Sequence, residues 1–213
     1  SVATAAFVLP LLLIEAVVPF ADLNFVETVG NVFYMAAGAA AVVISSAGYL
    51  GRRIDGMAAV RQVGPRFFSV WGAAIIQVIL IVLGLFLLVI PAFIFAAWTA
   101  TMQQAVMIEG RNAGESFTRS KELAEGYFWH ILATGVVTLL VLFLAGAGLA
   151  LVLDELGTEP RISLMLSNVA MIFFNPFTYV VSTVLYYDLR IRKEAFDVQL
   201  MTEALDEEGP APA

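Results

Sequence analysis

The chain has 213 residues, of which 61% are apolar and only 14% carry a charge. A soluble domain carries about 25% charged residues, so this composition argues against a soluble enzyme. The lack of cysteine excludes disulfides, thiolate metal sites and thiol nucleophiles. The net charge of −7 comes without a basic patch of the kind that binds nucleic acid.

The charges are gathered in short stretches, and the apolar stretches between them can each cross a hydrocarbon core about 30 Å thick, which takes roughly 20 residues. The sequence therefore predicts an all-α, polytopic membrane bundle in residues 1–193, followed by an amphipathic and then disordered acidic tail in residues 194–213. The six predicted transmembrane helices cover residues 2–20, 30–50, 67–90, 92–108, 129–153 and 162–187. Pro91 favours a tight hairpin between the third and fourth of them, with one long broken helix as the alternative.

Glu15 is an acidic residue deep inside the first predicted span. An ionised carboxyl group there costs about 2.5–3.5 kcal/mol, so Glu15 needs a partner or a bound proton. At a rise of about 1.5 Å per residue, Glu15 lies at a depth similar to that of Asn168 in the sixth span. We therefore predict that Glu15 is neutral and faces the polar side of that helix.

Small residues recur at a spacing of four in residues 36–41 of the second span and cluster in residues 145–148 of the fifth. Such residues allow two helix backbones to approach closely. The pattern is compatible with packing inside one subunit or between the subunits of a homo-oligomer.

Ten of the eleven basic residues fall in residues 51–66, residues 109–128 and residues 190–193, just before the tail. The loops between them are acidic. Cations concentrate on the cytoplasmic side of membrane proteins, so these three segments and both termini are predicted to be cytoplasmic.

Residues 113–125 predict an amphipathic elbow helix in the headgroup layer, with Phe117 and Leu123 on one face. Oppositely charged side chains four residues apart support such a helix by about 0.2–0.5 kcal/mol per pair. Two such pairs are present: Glu115–Arg119 and Lys121–Glu125. Residues 51–66 repeat the plan, with Asp55 as a helix cap, and residues 193–205 are a third candidate. Five cations near these elbows form a predicted docking surface: Arg111, Arg119, Lys121, Arg190 and Arg192.

The sixth span carries a polar stripe at helical spacing, made of Asn168, Asn175, Thr178, Ser182 and Tyr186. Such residues join helices in hydrocarbon, or they line a path for a solute. Gln77, Thr99 and Gln103 are predicted to supply the facing wall. The candidate intramembrane polar site is Glu15, Gln77, Gln103, Asn168 and Asn175.

Two further residues have a structural interpretation beside a functional one. Pro176 is predicted to kink the sixth helix as a hinge, and a broken-helix substrate site is the alternative. His130 is predicted to be an interfacial packing residue, and a proton-sensing role is the alternative.

Three groups of residues carry a family resemblance: Glu109-Gly110 with Phe117-Thr118-Arg119-Ser120, the Val89-Ile90-Pro91 turn, and the run from Leu185 to Glu194. Over about residues 51–200, the chain resembles bacterial six-span proteins related to the membrane domain of glycerophosphoryl diester phosphodiesterases, also called YciC-like membrane proteins. The resemblance implies a helix bundle in the bacterial inner membrane and implies no activity.

The expected function is that of a non-catalytic scaffold or regulatory partner for other membrane or peripheral proteins. The alternative is a small transporter or channel for an ion, lipid or small solute. The sequence predicts no catalytic residue, no metal ligand and no cofactor, and lipid is the expected environment.

The predicted orientation can be tested by cysteine labelling, because the chain has no cysteine of its own. On intact cells, an impermeant thiol reagent should label a cysteine placed at Thr158 and should not label one placed at Gly64. The reverse labelling pattern would contradict the orientation.

Overall fold

The computed structural model describes residues 23–87, 89–158 and 160–195, and every regular element among them is a helix. The helices are α1 (Leu23–Tyr49), α2 (Gly56–Val63), α3 (Phe67–Leu87), α4 (Val89–Thr99), α5 (Met102–Glu109), α6 (Ala113–Ala124), α7 (Phe128–Glu155) and α8 (Pro160–Glu194), with a 3-10 turn at Gly64–Arg66. The predicted all-helical fold is therefore confirmed for this part of the chain.

Two helical segments of the described residues are long and apolar enough to cross a membrane: Gly56–Leu87 with 32 residues and Phe128–Glu155 with 28 residues. They cover the third predicted span up to residue 87 and the whole of the fifth. A shorter apolar helix covers Met35–Tyr49. The first predicted span, with Glu15, and the tail beyond residue 195 lie outside the described residues.

The predicted hairpin between the third and fourth spans is confirmed by a close approach of α3 and α4. A Cβ built on Gly84 would lie 2.6 Å from the Cα of Ala92. In one continuous helix, eight residues would separate these positions by about 12 Å. The chain therefore folds back on itself, and only a residue without a side chain fits at Gly84.

The fourth predicted span, residues 92–108, is not one helix: α4 ends at Thr99 and α5 begins at Met102. At the break, the backbone N–H of Thr101 donates to Ser120 Oγ at 3.1 Å, and the two hydroxyl oxygens lie 3.0 Å apart. Both side chains are buried. Irregular backbone in an apolar interior needs such partners, and here α6 supplies one.

The small residues of α1 form the centre of the bundle. Ala39, Ala40 and Val42 are completely buried, and the ring of Tyr179 on α8 lies directly against Gly38. The second cluster behaves differently, because no atom of the described structure lies within 4 Å of a Cβ built on Gly146 or Gly148. Packing within one subunit thus explains residues 36–41, and packing between subunits stays open for residues 145–148.

Large apolar side chains cover the outer surfaces of α3 and α7. Phe86 is 90% exposed and Phe143 is 70% exposed. Soluble monomers rarely expose continuous apolar surface of this kind.

Gly38 should not tolerate a methyl group, because a Cβ there would overlap the ring of Tyr179. We expect Gly38→Ala to lower the free energy of unfolding by about 1–3 kcal/mol through overpacking. Gly48→Ala on the same helix is the matched control, because nothing lies within 4 Å of its Cβ. Thermal unfolding in detergent should show a lower midpoint for the first variant alone, and equal midpoints would contradict this packing.

Candidate functional site

The three basic segments meet at one end of the bundle, which we call the basic end and define by α2, α6 and the last two turns of α8. Arg66, just before α3, donates to the backbone carbonyl of Met107 on α5 at 2.6 Å. Lys193 on α8 donates to the backbone carbonyl of Glu122 on α6. Segments that are far apart in sequence therefore share one surface.

The centre of the basic end is the carboxylate of Glu109, the last residue of α5. It accepts hydrogen bonds from Arg111 Nε at 2.5 Å, from Arg119 Nε at 2.9 Å and from the hydroxyl of Tyr186 at 2.5 Å. The chain turns sharply after it because Gly110 adopts a left-handed conformation with φ of 72°. One carboxylate thus joins α5, α6 and α8.

A second carboxylate, Glu194, extends this arrangement. Arg119 Nη2 donates to it at 2.9 Å, and Arg190 Nε donates to it at 3.1 Å. The side chain of Arg119 is only 12% exposed, so its charge is neutralised inside the protein. We call these six residues the charged network: Glu109, Arg111, Tyr186, Arg119, Arg190 and Glu194.

The charged network favours the ionised carboxylates. Burial alone would raise the pKa of Glu109, but hydrogen bonds from Tyr186, Arg111 and Arg119 outweigh it and lower that pKa below its usual value. The hydrogen bond from Arg119 lowers the pKa of Glu194 in the same way. The guanidinium pKa of Arg119 is raised, chiefly by its hydrogen bonds to Glu194. At neutral pH Glu109, Glu194 and Arg119 are all charged, and their charges compensate one another.

The helix predicted over residues 113–125 is confirmed as α6, with Leu123 buried and Phe117 packed on the core. Its position in the headgroup layer stays a prediction. The interactions that stabilise this helix differ from the predicted ones. Asn112 accepts from the backbone N–H of Glu115 at 2.9 Å while the Glu115 carboxylate accepts from the Asn112 N–H at 3.1 Å, which forms a capping box.

The two predicted i,i+4 ion pairs do not form within this helix. Arg119 bonds to Glu109 and Glu194 instead of Glu115. Lys121 lies 4.7 Å from the ring centre of Trp98 instead of pairing with Glu125. Tertiary partners with better geometry displace the local pairs, which contribute only about 0.2–0.5 kcal/mol each.

The five predicted docking cations therefore have partners inside the protein. Arg119 and Arg190 are mostly buried in the charged network. Arg111 and Arg192 are more exposed, but they pair with Glu109 and Asp188. The exposed face of α6 carries acidic and neutral residues instead: Glu115, Thr118, Glu122 and Glu125.

A polar contact between α5 and α8 was missed in the sequence. Gln104 is 2% exposed, and its amide donates to Ser182 Oγ at 2.7 Å. The predicted Gln103 is only partly buried. The error has a physical origin. The prediction assumed one continuous helix from residue 92 to residue 108. The break at Thr101 changes the rotational phase of the helix, so α5 turns a different face toward α8.

The other predicted polar residues are only partly covered by the described structure. Gln77 on α3 is partly buried, and Thr99 donates to the carbonyl of Phe95 within its own helix at 2.8 Å. Asn168 and Asn175 belong to α8, but their side chains, like Glu15, lie outside the described part. The predicted contact of Glu15 with Asn168 stays a prediction.

His130 has a partner that the sequence did not indicate. Its Nε2 lies 3.0 Å from a carboxylate oxygen of Asp188, which also pairs with Arg192. This contact joins the start of α7 to α8. The predicted cap at Asp55 is confirmed, since Asp55 accepts from the Met57 N–H at 3.3 Å. Pro176 lies inside α8, and the predicted kink there stays a prediction.

Within residues 23–87, 89–158 and 160–195, the structure contains no group of three or more histidine, aspartate and glutamate side chains that could hold a metal ion. Comparison of the chain with protein-family models, curated proteins and solved structures finds no match. The functional argument therefore depends on the geometry described above.

The charged network predicts a specific response to acid. Because folding lowers the pKa of Glu109 and Glu194, the unfolded chain binds protons more readily. Their contribution to the free energy of unfolding should be complete above the ordinary glutamate pKa of about 4.3 and should be lost as the pH falls below it. Thermal unfolding in detergent between pH 7 and pH 3 measures this loss.

Glu109→Gln should remove most of that dependence and should lower stability at pH 7 by about 1–3 kcal/mol, because Arg111 and Arg119 lose a charged acceptor. Glu122→Gln is the matched control, since Glu122 is exposed on α6 and its carboxylate has no hydrogen bond or ion pair in the described structure. Equal pH profiles for the two variants would show that the charged network does not stabilise the fold.

Proposed function

We propose that this protein is a six-span protein of the bacterial inner membrane that acts as a non-catalytic scaffold or regulatory partner. In this proposal the basic end is cytoplasmic, both termini lie on that side, and the family resemblance supplies the compartment. Other membrane or peripheral proteins are its partners.

Membrane insertion is supported by the outer surfaces of α3 and α7. The 21 residues of α3 span about 32 Å at 1.5 Å per residue, which matches the hydrocarbon thickness. Exposed aromatic residues stand where both helices leave the basic end, with Phe68 at 85% and Trp129 at 79% exposure. Aromatic residues in that position are typical of the membrane interface.

The observation that carries the scaffold proposal is the use of polar side chains along α8. Ser182 bonds to Gln104, and Tyr186 bonds to Glu109, so two members of the predicted stripe join α8 to α5. Polar groups that are already hydrogen-bonded to each other favour helix association over a solute path. The charged network likewise has each of its described charges opposite another, which suits structure better than catalysis.

The proposed docking surface is the exposed face of α6 together with Arg111 and Arg192 at its border. It is held rigidly, because α6 packs on α3, α4, α5 and α8. Glu122 and Glu125 make its centre acidic, so a partner with a basic surface is electrostatically favoured.

A small transporter remains the second candidate, and the broken segment between α4 and α5 favours it. Transporters place substrates at breaks in helices near the middle of the membrane. Here the break places the buried Thr101 against Ser120 on α6 and the buried Gln104 against Ser182 on α8.

Site-specific photo-crosslinking in living cells tests the scaffold proposal. A photoreactive residue at Thr118 or Glu122 should give discrete protein adducts, and one at Thr158, near the opposite end of the bundle, should not give the same adducts. Adducts that are the same from both ends, or absent from α6, would contradict the docking surface.

The double variant Gln104→Leu with Ser182→Ala separates the two candidates, because it removes the polar contact without changing α6. A scaffold should keep its adducts and should restore the phenotype of a deletion strain. If the adducts persist but the phenotype is not restored, the result favours the transporter proposal over the scaffold proposal.

A further inference from the structure

Arginines at the basic end fall into two groups. Those on α6 and α8, with Arg66 and Arg111, have carboxylate or carbonyl partners inside the protein. Arg53 and Arg61 differ, because neither has an ion pair or side-chain hydrogen bond within the part of the chain that the structure describes, and both are exposed. Arg52, also exposed, precedes them.

The fold places Arg61 on the outer side of α2. Ala59 and Val63 bury the inner face of this helix against the core. Met57 and Arg61, four residues apart, therefore share the outer face, and Met57 is 56% exposed. The cap at Asp55 fixes the start of the helix and places Arg53 two residues before it.

The distance of Arg61 from the apolar segment matches the depth of lipid phosphates. Residues 56–87 form one helical run, and Arg61 precedes Phe67 by six positions. At 1.5 Å per residue this is about 9 Å. The polar layer on each side of the hydrocarbon core is roughly 5–8 Å thick, and an arginine side chain easily covers the difference. The exposed Phe68 begins the apolar surface below it.

We propose that the outer face of α2 binds the phosphate of an anionic phospholipid, with Arg61 as its ligand, Arg53 and Arg52 adding positive charge, and Phe68 against the lipid chain. The proposal rests on the membrane placement of the proposed function. Guanidinium groups bind phosphate through paired, charge-assisted hydrogen bonds. The apolar side chains next to the cations favour a lipid over an acidic protein segment, which would leave Phe68 uncovered.

Native mass spectrometry of the full chain in detergent tests the proposal by counting bound phosphatidylglycerol and phosphatidylcholine. The wild-type protein should retain phosphatidylglycerol preferentially. Arg53→Gln with Arg61→Gln should weaken that retention by about tenfold or more, because a charged hydrogen-bond donor and a neighbouring positive charge are lost. Arg53→Lys with Arg61→Lys should retain part of it, since the charge remains.

Arg111→Gln with Arg192→Gln is the matched control, because it removes the same charge from arginines that already have protein partners. This variant should keep its lipid retention. Equal loss in both glutamine variants would mean general charge attraction, and no loss in the first would mean that α2 binds no lipid; each result overturns the proposal. Thermal unfolding confirms that all variants are folded.

Two further measurements distinguish a phospholipid from other ligands of this surface. If inorganic phosphate raises the unfolding temperature as much as phosphatidylglycerol does, the site recognises free phosphate and the lipid assignment is wrong. If the first variant keeps its lipid but loses protein adducts in cells, the surface binds an acidic protein instead. Failure of membrane insertion, measured by vesicle flotation, would overturn the proposed function as well, whereas loss of lipid preference alone leaves it standing.

Discussion

The carboxylate of Glu109 is the constraint around which the basic end is organised. It sits at the end of α5 and accepts from Arg111, Arg119 and Tyr186, so that α6 and α8 are positioned by one group. A partly buried charge is costly unless its hydrogen-bonding capacity is used. Because every donor comes from a different turn of the chain, the arrangement is satisfied only when all three helices are in place. This mutual dependence explains why α6, which is short and polar, is held firmly against the bundle.

The same requirement explains the break between α4 and α5. Helix end groups in an apolar surrounding need partners, and the Ser120 hydroxyl on α6 meets the N–H of Thr101. The elbow helix is thus bound at two levels, through Ser120 to the break and through Arg119 to Glu109 and Glu194. The break in turn rotates α5 so that Gln104 meets Ser182. An irregularity in one segment therefore determines which residues form the contact with α8.

Local physics predicted much of this fold. The hydropathy pattern located α3 and α7, Pro91 indicated the hairpin, Asp55 indicated a cap, and the small residues of α1 indicated close packing. The errors have one cause: tertiary partners were invisible in a single sequence. Residues 92–108 form a continuous apolar pattern, and nothing local shows that Ser120 will replace a helical hydrogen bond of Thr101. Similarly, Arg119 has Glu115 at a favourable spacing, yet carboxylates ten and seventy-five positions away bind it better. The docking surface predicted from cations alone was therefore incomplete.

Charge pairing divides the cations of the basic end into two groups: those neutralised by carboxylates inside the protein, and those exposed without an ion pair in the described structure. A guanidinium enclosed by two carboxylates contributes little to the field outside the protein, because the opposite charges nearly cancel beyond a Debye length of about 10 Å. Arg119 belongs to that group, although its place in a basic segment first suggested a docking surface. Arg53 and Arg61 keep their full charge at the surface, close in sequence to the exposed Met57, and the surface becomes apolar further along the chain at Phe68. The position of a cation relative to its neighbours, rather than the number of cations in a segment, thus decides which part of this end can attract an anionic ligand.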